Sequence, residues 1–270
     1  MSGFFYLRTK KMIREKTIWI TGASSGIGRA LAIQLASANN LILSSRNLNE
    51  LEETKNKCAS SKVHLEPLDL GDFDSHHSIV ARVVKNHGPI DQLIHCGGIS
   101  KRSLVKDTLL TVDEKLMAIN YLGTVSLTKA ILPHFLEKKK GHFTVITSLT
   151  GVFASPYRSG YAASKHALHG FFDSLRAELE DEGIRVTLAA PGFVKTKVSI
   201  NALTGDGTSL GSMDDAQAKG ISAEACAQKT IRAIAKNKRE VYIGRESYAA
   251  YVKRYLPGLF ARLIKKAKVR

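Results

Sequence analysis

Short apolar runs alternate with amphipathic stretches along most of this chain. The runs are "TIWIT" (17–21), "LILSS" (41–45), "VHLEPL" (63–68), "QLIH" (92–95), "HFTVITS" (142–148), "RVTLAA" (185–190) and "EVYIG" (240–244). They predict strands. Between them, residues 26–38, 48–58, 74–87, 111–137, 160–182 and 222–236 carry helical patterns. Strands alternating with helices of this length predict an α/β fold, a parallel sheet of about seven strands covered by helices on both faces. One stretch breaks the alternation. "NALTGDGTSLGSMDDAQAKG" (201–220) is rich in Gly, Ser and Asp, and is long for a connection, so it is either functional or mobile.

Composition sets bounds on this picture. A chain of 270 residues allows one large domain or two small ones, and 44% apolar residues suit a globular core. No apolar run reaches about 18 residues, so no membrane-spanning helix is expected. The opening "MSGFFYLRTKKMIREK" does not read as a secretory signal. Three scattered cysteines, Cys58, Cys96 and Cys226, predict a reduced, cytoplasmic setting rather than a disulfide framework. The nine histidines show no metal-ligand spacing, so no metal is expected.

The net charge of +16 is unevenly spread, with 11 of the excess charges in residues 1–16 and 247–270. An electrostatic partner would therefore meet the termini. No nucleic-acid motif accompanies them, and a nucleic-acid partner is not expected. The domain reading is a basic extension (1–16), one central unit (17–245) with a candidate lid near 197–222, and a basic tail (246–270).

The first predicted strand runs straight into "TGASSGIGRA" (21–30), which opens a helix. Gly22, Gly26 and Gly28 permit a tight turn and close approach of a pyrophosphate to bare backbone. Ser24, Ser25 and Ile27 complete the loop, and the amides of a helix N-terminus face the phosphates. The end of the second strand discriminates between dinucleotides. A carboxylate there would bind ribose hydroxyls, but this chain has Ser44, Ser45 and Arg46. Nothing repels a 2′-phosphate and Arg46 can clamp one, which favours NADP(H) over NAD(H).

"YAASK" puts Tyr161 and Lys165 one helical turn apart, on one face. A free phenol is a poor acid or base at neutral pH, and a nearby ammonium favours its ionised form. Ser148 sits 13 positions upstream at the end of a predicted strand, and Asn120 interrupts a helical stretch in "MAINYLG". Each alone has an ordinary structural reading.

Their joint order, with "TGASSGIG" and "PGFVKT" (191–196), resembles the short-chain dehydrogenase/reductase family over about residues 15–245. "SLTGVFASPYRSGYAASKHALHGFFDSLRAEL" is similar to its steroid-dehydrogenase-like branch. The resemblance implies a Rossmann-type doubly wound sheet, a homodimer or homotetramer, and interconversion of a carbonyl and an alcohol on an apolar, lipid- or steroid-like substrate. It implies a tetrad of Asn120, Ser148, Tyr161 and Lys165: Tyr161 as general acid/base, Ser148 polarising the substrate oxygen, Lys165 holding the nicotinamide ribose, and Asn120 holding a water. It also implies that Asp69 meets the adenine, and that Pro191, Gly192, Val194 and Thr196 flank the nicotinamide. One motif departs. The family usually has Asn-Asn-Ala-Gly after the fourth strand, whereas this chain has His95-Cys96-Gly97-Gly98. The amides that would brace the sheet are gone, while Cys96 and Gly97 still let backbone approach the cofactor. Val152, Phe153, Ala154 and Pro156 suggest either an apolar pocket or simple core packing.

In the tail, Tyr248, Tyr251, Tyr255, Leu259, Phe260 and Leu263 recur at helical spacings among basic residues. Such a segment can lie on an anionic membrane surface, or pack its apolar stripe on the protein. The rival to an enzyme is a non-catalytic NADP(H)-binding sensor or scaffold at a membrane surface.

Overall fold

The computed structural model describes residues 12–60 and 62–267. Residues 1–11 of the expected basic extension, and Lys268 and Arg270 of the tail, lie outside the described residues. The chain runs β1 (Thr17–Thr21), α1 (Gly26–Ala36), β2 (Asn40–Ser44), α2 (Leu48–Asn56), β3 (Val63–Leu65), α3 (His76–His87), β4 (Gln92–His95), α4 (Leu110–Met117), α5 (Gly123–Glu137), β5 (Gly141–Ile146), α6 (Ser159–Leu179) and β6 (Ile184–Pro191). It ends with β7 (Val194–Lys195), α7 (Asp215–Ala218), β8 (Ile221–Ser222), α8 (Ala223–Ala235), β9 (Glu240–Ile243), α9 (Tyr248–Tyr255) and α10 (Pro257–Lys265).

Seven strands form one parallel sheet in the order β3-β2-β1-β4-β5-β6-β9, and β7 and β8 form a separate parallel pair. Side chains alternate between the faces of a strand, so β1 feeds two cores. Ile18 and Ile20 pack with Leu31, Leu41 and Ile234, whereas Trp19 packs with Ile42, Leu93, Phe143 and Phe172. The indole of Trp19 is fully buried, and its Nε1 donates to Ser44 Oγ at 2.8 Å, so its polar edge is satisfied. Burying each large side chain of these two layers contributes about 1.5–3 kcal/mol.

Strand order reverses at β1: β2 and β3 lie on one side, β4 and its successors on the other. In-register pairing of Thr21 with Ser44, His95 with Val145 and Ile146 with Ala189 brings the carboxyl ends to one edge. Gly22, Ser45, Cys96, Ser148 and Gly192 follow those ends, at the switch point where open α/β sheets bind ligands.

Several elements differ from the pattern-based expectation. The expected helix over 111–137 is α4 and α5 joined by a π-helical turn, Ala118–Leu122. That turn directs Asn120 into the interior, where its amide bonds backbone, a common use of such an insertion. At Gly123 a Cβ would lie 2.0 Å from the Leu70 carbonyl oxygen, so only glycine lets α5 begin there. β3 stops at Leu65, ahead of Pro67, which has no amide to donate. β5 stops at Ile146, so Ser148 stands two residues past the strand and opens a 3₁₀ turn, Leu149–Gly151.

The 201–220 stretch is tied down rather than loose. Arg102 N donates to Leu203 O at 2.8 Å, Leu203 N to Ser100 O at 2.9 Å and Leu109 N to Gly205 O at 2.9 Å, while Gln217 bonds Val194 O. At the end of the chain, Phe260 and Ile264 of α10 pack with Leu149, Val152, Phe153 and Ala250. Phe153 and Phe260 meet edge to face at 5.6 Å.

Candidate active site

The glycine loop between β1 and α1 is built by close approach. Gly22 has φ +64°, and a Cβ on it would sit 2.7 Å from the Gly97 amide nitrogen. On Gly28 a Cβ would sit 2.2 Å from the Gly22 carbonyl oxygen. Backbone cannot yield to that overlap, so the turn requires glycine at both positions. The Thr21 hydroxyl accepts from Cys96 N (3.2 Å) and Gly97 N (3.3 Å), joining the loop after β1 to that after β4. Thr196 lies against Gly26.

The substitution of His95-Cys96 for two amides has a structural answer. His95 is buried, its Nε2 shares a 2.9 Å hydrogen bond with Thr128 Oγ1, and its ring stacks on Phe143 at 6.2 Å. The sheet is thus braced to α5 through an imidazole. Burial lowers the His95 pKa to about 3, so the ring is neutral, and its Nδ1 has no hydrogen-bond partner among the described residues. Burial pushes the Cys96 thiol up to about 12, so the half-buried residue carries no reactive thiolate.

Ser148 is buried. Its Oγ accepts from Thr150 N (3.1 Å) and Thr150 Oγ1 (2.9 Å), and it lies 3.4 Å from Pro191 O, its acceptor. Tyr161 stands in the first turn of α6, half-buried, with Lys165 Nζ 5.8 Å from its ring centroid. Lys165 is buried and donates to Ile146 O at 3.0 Å, at the end of β5. Asn120 is fully buried: its Oδ1 accepts from Ile99 N (2.8 Å), and its Nδ2 donates to Ile99 O (2.9 Å) and Ser164 Oγ (3.0 Å). Its amide is occupied by protein groups and fixes the segment after β4 against α6.

A cavity of about 1220 Å³ runs along this edge of the sheet. It is bordered by Gly22, Ser24, Ser25, Gly26, Ile27, Gly28, Arg46, Asp69, Cys96, Gly97, Ser148, Tyr161, Lys165, Pro191, Gly192, Val194 and Thr196. Every residue predicted for the tetrad or the dinucleotide, except Asn120, therefore faces one space. Arg46 and Asp69 are exposed; Asp69 Oδ1 accepts from Gly71 N at 2.9 Å, whereas Arg46 makes no hydrogen bond or ion pair among the described residues. Of the four residues expected in an apolar pocket or the core, Phe153 borders the cavity; Val152 packs behind it, Ala154 is exposed, and Pro156 is not in the wall. Alternating exposure in an irregular loop has no period to read.

Other wall residues gave no sequence signal. Arg102, Arg158, Phe193, Leu203, Ile264 and Ala267 reach the cavity from five separate parts of the chain. Lys101, one residue before Arg102, is fully buried; its Nζ donates to Thr108 Oγ1 and Ser159 Oγ, both at 2.8 Å, and lies 3.6 Å from Asp113 Oδ1. It anchors the segment after β4 to the start of α6.

The sequence profile of the short chain dehydrogenase family matches residues 16–206, more than half of the chain. The chain belongs to the short-chain dehydrogenase/reductase family. It is similar to dehydrogenase/reductase SDR family member 7B of Mus musculus, 40% identical over 267 residues, covering 96% of this chain and 83% of that relative. It is similarly close to the SDR family protein 7-like of Anopheles gambiae, 41% identical over 269 residues, with 96% and 85% covered. A short-chain dehydrogenase/reductase from Burkholderia phymatum, solved in complex with NAD, shares the fold at TM-score 0.81 and 21% identity, with 95% of this chain and 97% of that one covered. Members of this family are oxidoreductases that act on alcohol or carbonyl groups with a nicotinamide cofactor. The bare backbone of Gly22 to Gly28, which borders the cavity at the start of α1, suits the pyrophosphate of such a dinucleotide.

Proposed function

We propose that this short-chain dehydrogenase/reductase uses NADP(H) to interconvert a carbonyl and an alcohol on a largely apolar substrate. The observation that carries the reading is the common cavity: Tyr161, Lys165 and Ser148 open onto the same space as the glycine loop. The dinucleotide supplies or accepts the hydride. In the reductive direction Tyr161 donates its proton to the carbonyl oxygen as general acid, and Ser148 holds that oxygen by hydrogen bond. The Lys165 ammonium, on the tyrosine's side of the cavity, stabilises the negative charge left on the phenol. Asn120 acts by position, holding Ile99 and Ser164 around Lys165. The glycine-loop residues, with Arg46, Asp69, Cys96, Gly97, Pro191, Gly192, Val194 and Thr196, are assigned to the dinucleotide. Arg46, exposed at the cavity and engaged with no other described residue, supports the 2′-phosphate preference.

A screen of carbonyls and alcohols followed by reduced-cofactor absorbance, run with both dinucleotides, tests this reading. Turnover preferring NADP(H) is expected. Cofactor binding without turnover on any substrate would instead favour a non-catalytic sensor.

The segment over 197–222 serves as the substrate lid in this reading, and the tail as a membrane-surface contact. Tyr248 and Tyr255 are 76% and 75% exposed, Leu256, Leu259 and Leu263 are exposed beside them, and Lys253, Arg254, Arg262, Lys265 and Lys266 share α9, α10 and their end. That combination suits an anionic bilayer surface. Among the described residues no helix is long and apolar enough to cross a membrane. A homodimer or homotetramer is also inferred, since Val105, Leu109, Leu110 and Leu122 expose apolar area that a second copy would cover. Light scattering at micromolar concentration reads it, and a monomer would end this assignment.

A further inference from the structure

Lys101 is completely enclosed, which a lysine almost never is unless its charge is paired. Its Nζ donates to Thr108 Oγ1 and to Ser159 Oγ, both at 2.8 Å, and lies 3.6 Å from Asp113 Oδ1. Apolar residues of similar size often serve stability as well as a buried ion pair does, so stability alone does not account for this lysine.

What Lys101 touches converges on Tyr161. Its backbone bridges Leu203 in parallel, with Leu203 N donating to Ser100 O at 2.9 Å and Arg102 N to Leu203 O at 2.8 Å. Its ammonium reaches Asp113 of α4 and Ser159, the first residue of α6. The Asp113 carboxylate is seated against Gly160, where an added Cβ would fall 2.0 Å from Oδ1. Tyr161 itself packs against Val112 and Leu116 of α4 and against Leu203. The three elements that surround the phenol are therefore the three that Lys101 joins: α4, the 201–220 segment and the first turn of α6. The chain entering α6 is also held in an uncommon form. Tyr157 has φ +67°, and Ser103 N donates to its carbonyl at 3.1 Å. Such backbone persists only where its surroundings over-determine it, and the stretch after β4 supplies part of that constraint.

We propose that Lys101 is a positioning residue for Tyr161. Through its ammonium and its backbone it locks α4, the 201–220 segment and the start of α6 into one joint that fixes the phenol at the cavity. The role rests on the oxidoreductase reading of the same site. A proton donor displaced by about 1 Å loses about 10²-fold in rate, so a rigid joint at this place has a large effect on chemistry and little on binding.

The test uses the full chain with NADPH and para-nitrobenzaldehyde, or in its place the fastest carbonyl of the screen above. Lys101→Met keeps an unbranched side chain and removes the ammonium. It should lower kcat about 10–100-fold, with KM and the NADPH affinity within about twofold of wild type. In a Tyr161→Phe background the same substitution should change the residual rate less than about twofold, because a residue that acts through the phenol then has nothing to position. Ser159→Ala cuts only the link to α6; it should cost several-fold in kcat, and it carries the test if Lys101→Met does not fold. Hydrogen exchange read by mass spectrometry needs no turnover. In Lys101→Met, amides of residues 159–165 and 201–205 should exchange faster together, while those of 22–28 match the wild type; Ser159→Ala should speed exchange at 159–165. A kcat within twofold of wild type, equal losses with and without the Tyr161 hydroxyl, or unchanged exchange at 159–165 overturns the role. A wild type that reduces no carbonyl would refute the oxidoreductase reading, and exchange would then decide by itself whether the joint exists.

Discussion

The glycine-loop end of the cavity, proposed for the cofactor phosphates, and the opposite end, proposed for the substrate, are built from different materials. The phosphate end is backbone. Gly22, Gly28 and Gly97 bring the loops after β1 and β4 within contact distance, and Thr21 ties the two together. The substrate end is side chains from distant places: Asp214 reaches Arg102 across 112 positions, and Phe260 of the tail packs on Phe153. Backbone geometry tolerates almost no substitution. Side-chain walls can be rebuilt residue by residue, so selectivity can vary there while the dinucleotide site stays fixed. Tyr161 and Lys165 stand between, placed by one helix whose start Lys101 anchors through Ser159.

Substitutions that strike one end should spare the other, and this is how the comparison can be broken. The largest effect is expected at the junction. Tyr161→Phe should lower turnover about 10²–10⁴-fold on a true substrate while NADPH affinity, read by fluorescence titration, stays unchanged. Retention of most activity would remove the proton-donor role. At the phosphate end, Gly28→Ala forces a Cβ against the Gly22 carbonyl. Dinucleotide binding should be lost and thermal unfolding should register a destabilisation of about 1–3 kcal/mol. Arg46→Asp should be milder, cutting the NADPH-over-NADH preference about 10–100-fold with turnover on NADH preserved; an unaltered ratio would shift the 2′-phosphate contact elsewhere.

A pH experiment sharpens the boundary between the two ends. His95 has a folded pKa of about 3 because of burial, and His142 about 4 for the same main reason, against 6.5 for a free imidazole. Both are depressed, so the unfolded chain takes up protons first as pH falls. Their contribution is complete above about pH 6.5 and declines by about 1.4 kcal/mol per pH unit per histidine until the folded pKa is reached. His95→Asn, which restores the residue usual in the family, should flatten the acid side of the stability curve measured by urea denaturation. An identical slope would show that the imidazole is not the group that titrates. The smallest effect concerns the tail. Replacing Tyr248, Tyr255, Leu259 and Leu263 with Ser should reduce flotation with anionic liposomes and leave thermal stability nearly intact, since these side chains are exposed. Equal flotation of the two proteins would end the membrane assignment.

Legibility followed the same division. Strand and helix alternation predicted the seven-stranded parallel sheet, because local period reports which faces are buried. Glycine spacing after β1 and the Tyr161/Lys165 interval were readable because each acts within one turn or one loop. The break at Ala118–Leu122 was not, since a π turn has no composition of its own and is set by where Asn120 must point. Phe260 stood in the expected stripe with Tyr248 and Leu263, yet it packs on Phe153 while those two remain exposed. A helical wheel cannot say which arc meets the core once Pro257 has turned the second helix.

By itself, the sequence determined the sheet, the glycine loop after β1 and the tyrosine–lysine pair. These are consequences of residues adjacent in the chain, where sterics and helical geometry leave few choices. Only the tertiary structure decided that Arg102, Arg158 and Asp214 share a buried charge cluster, that an imidazole replaces the missing amides at His95, and that α10 closes one side of the cavity. Those arrangements depend on which distant segments meet, and burial alone converts an ordinary surface charge into one that must be answered.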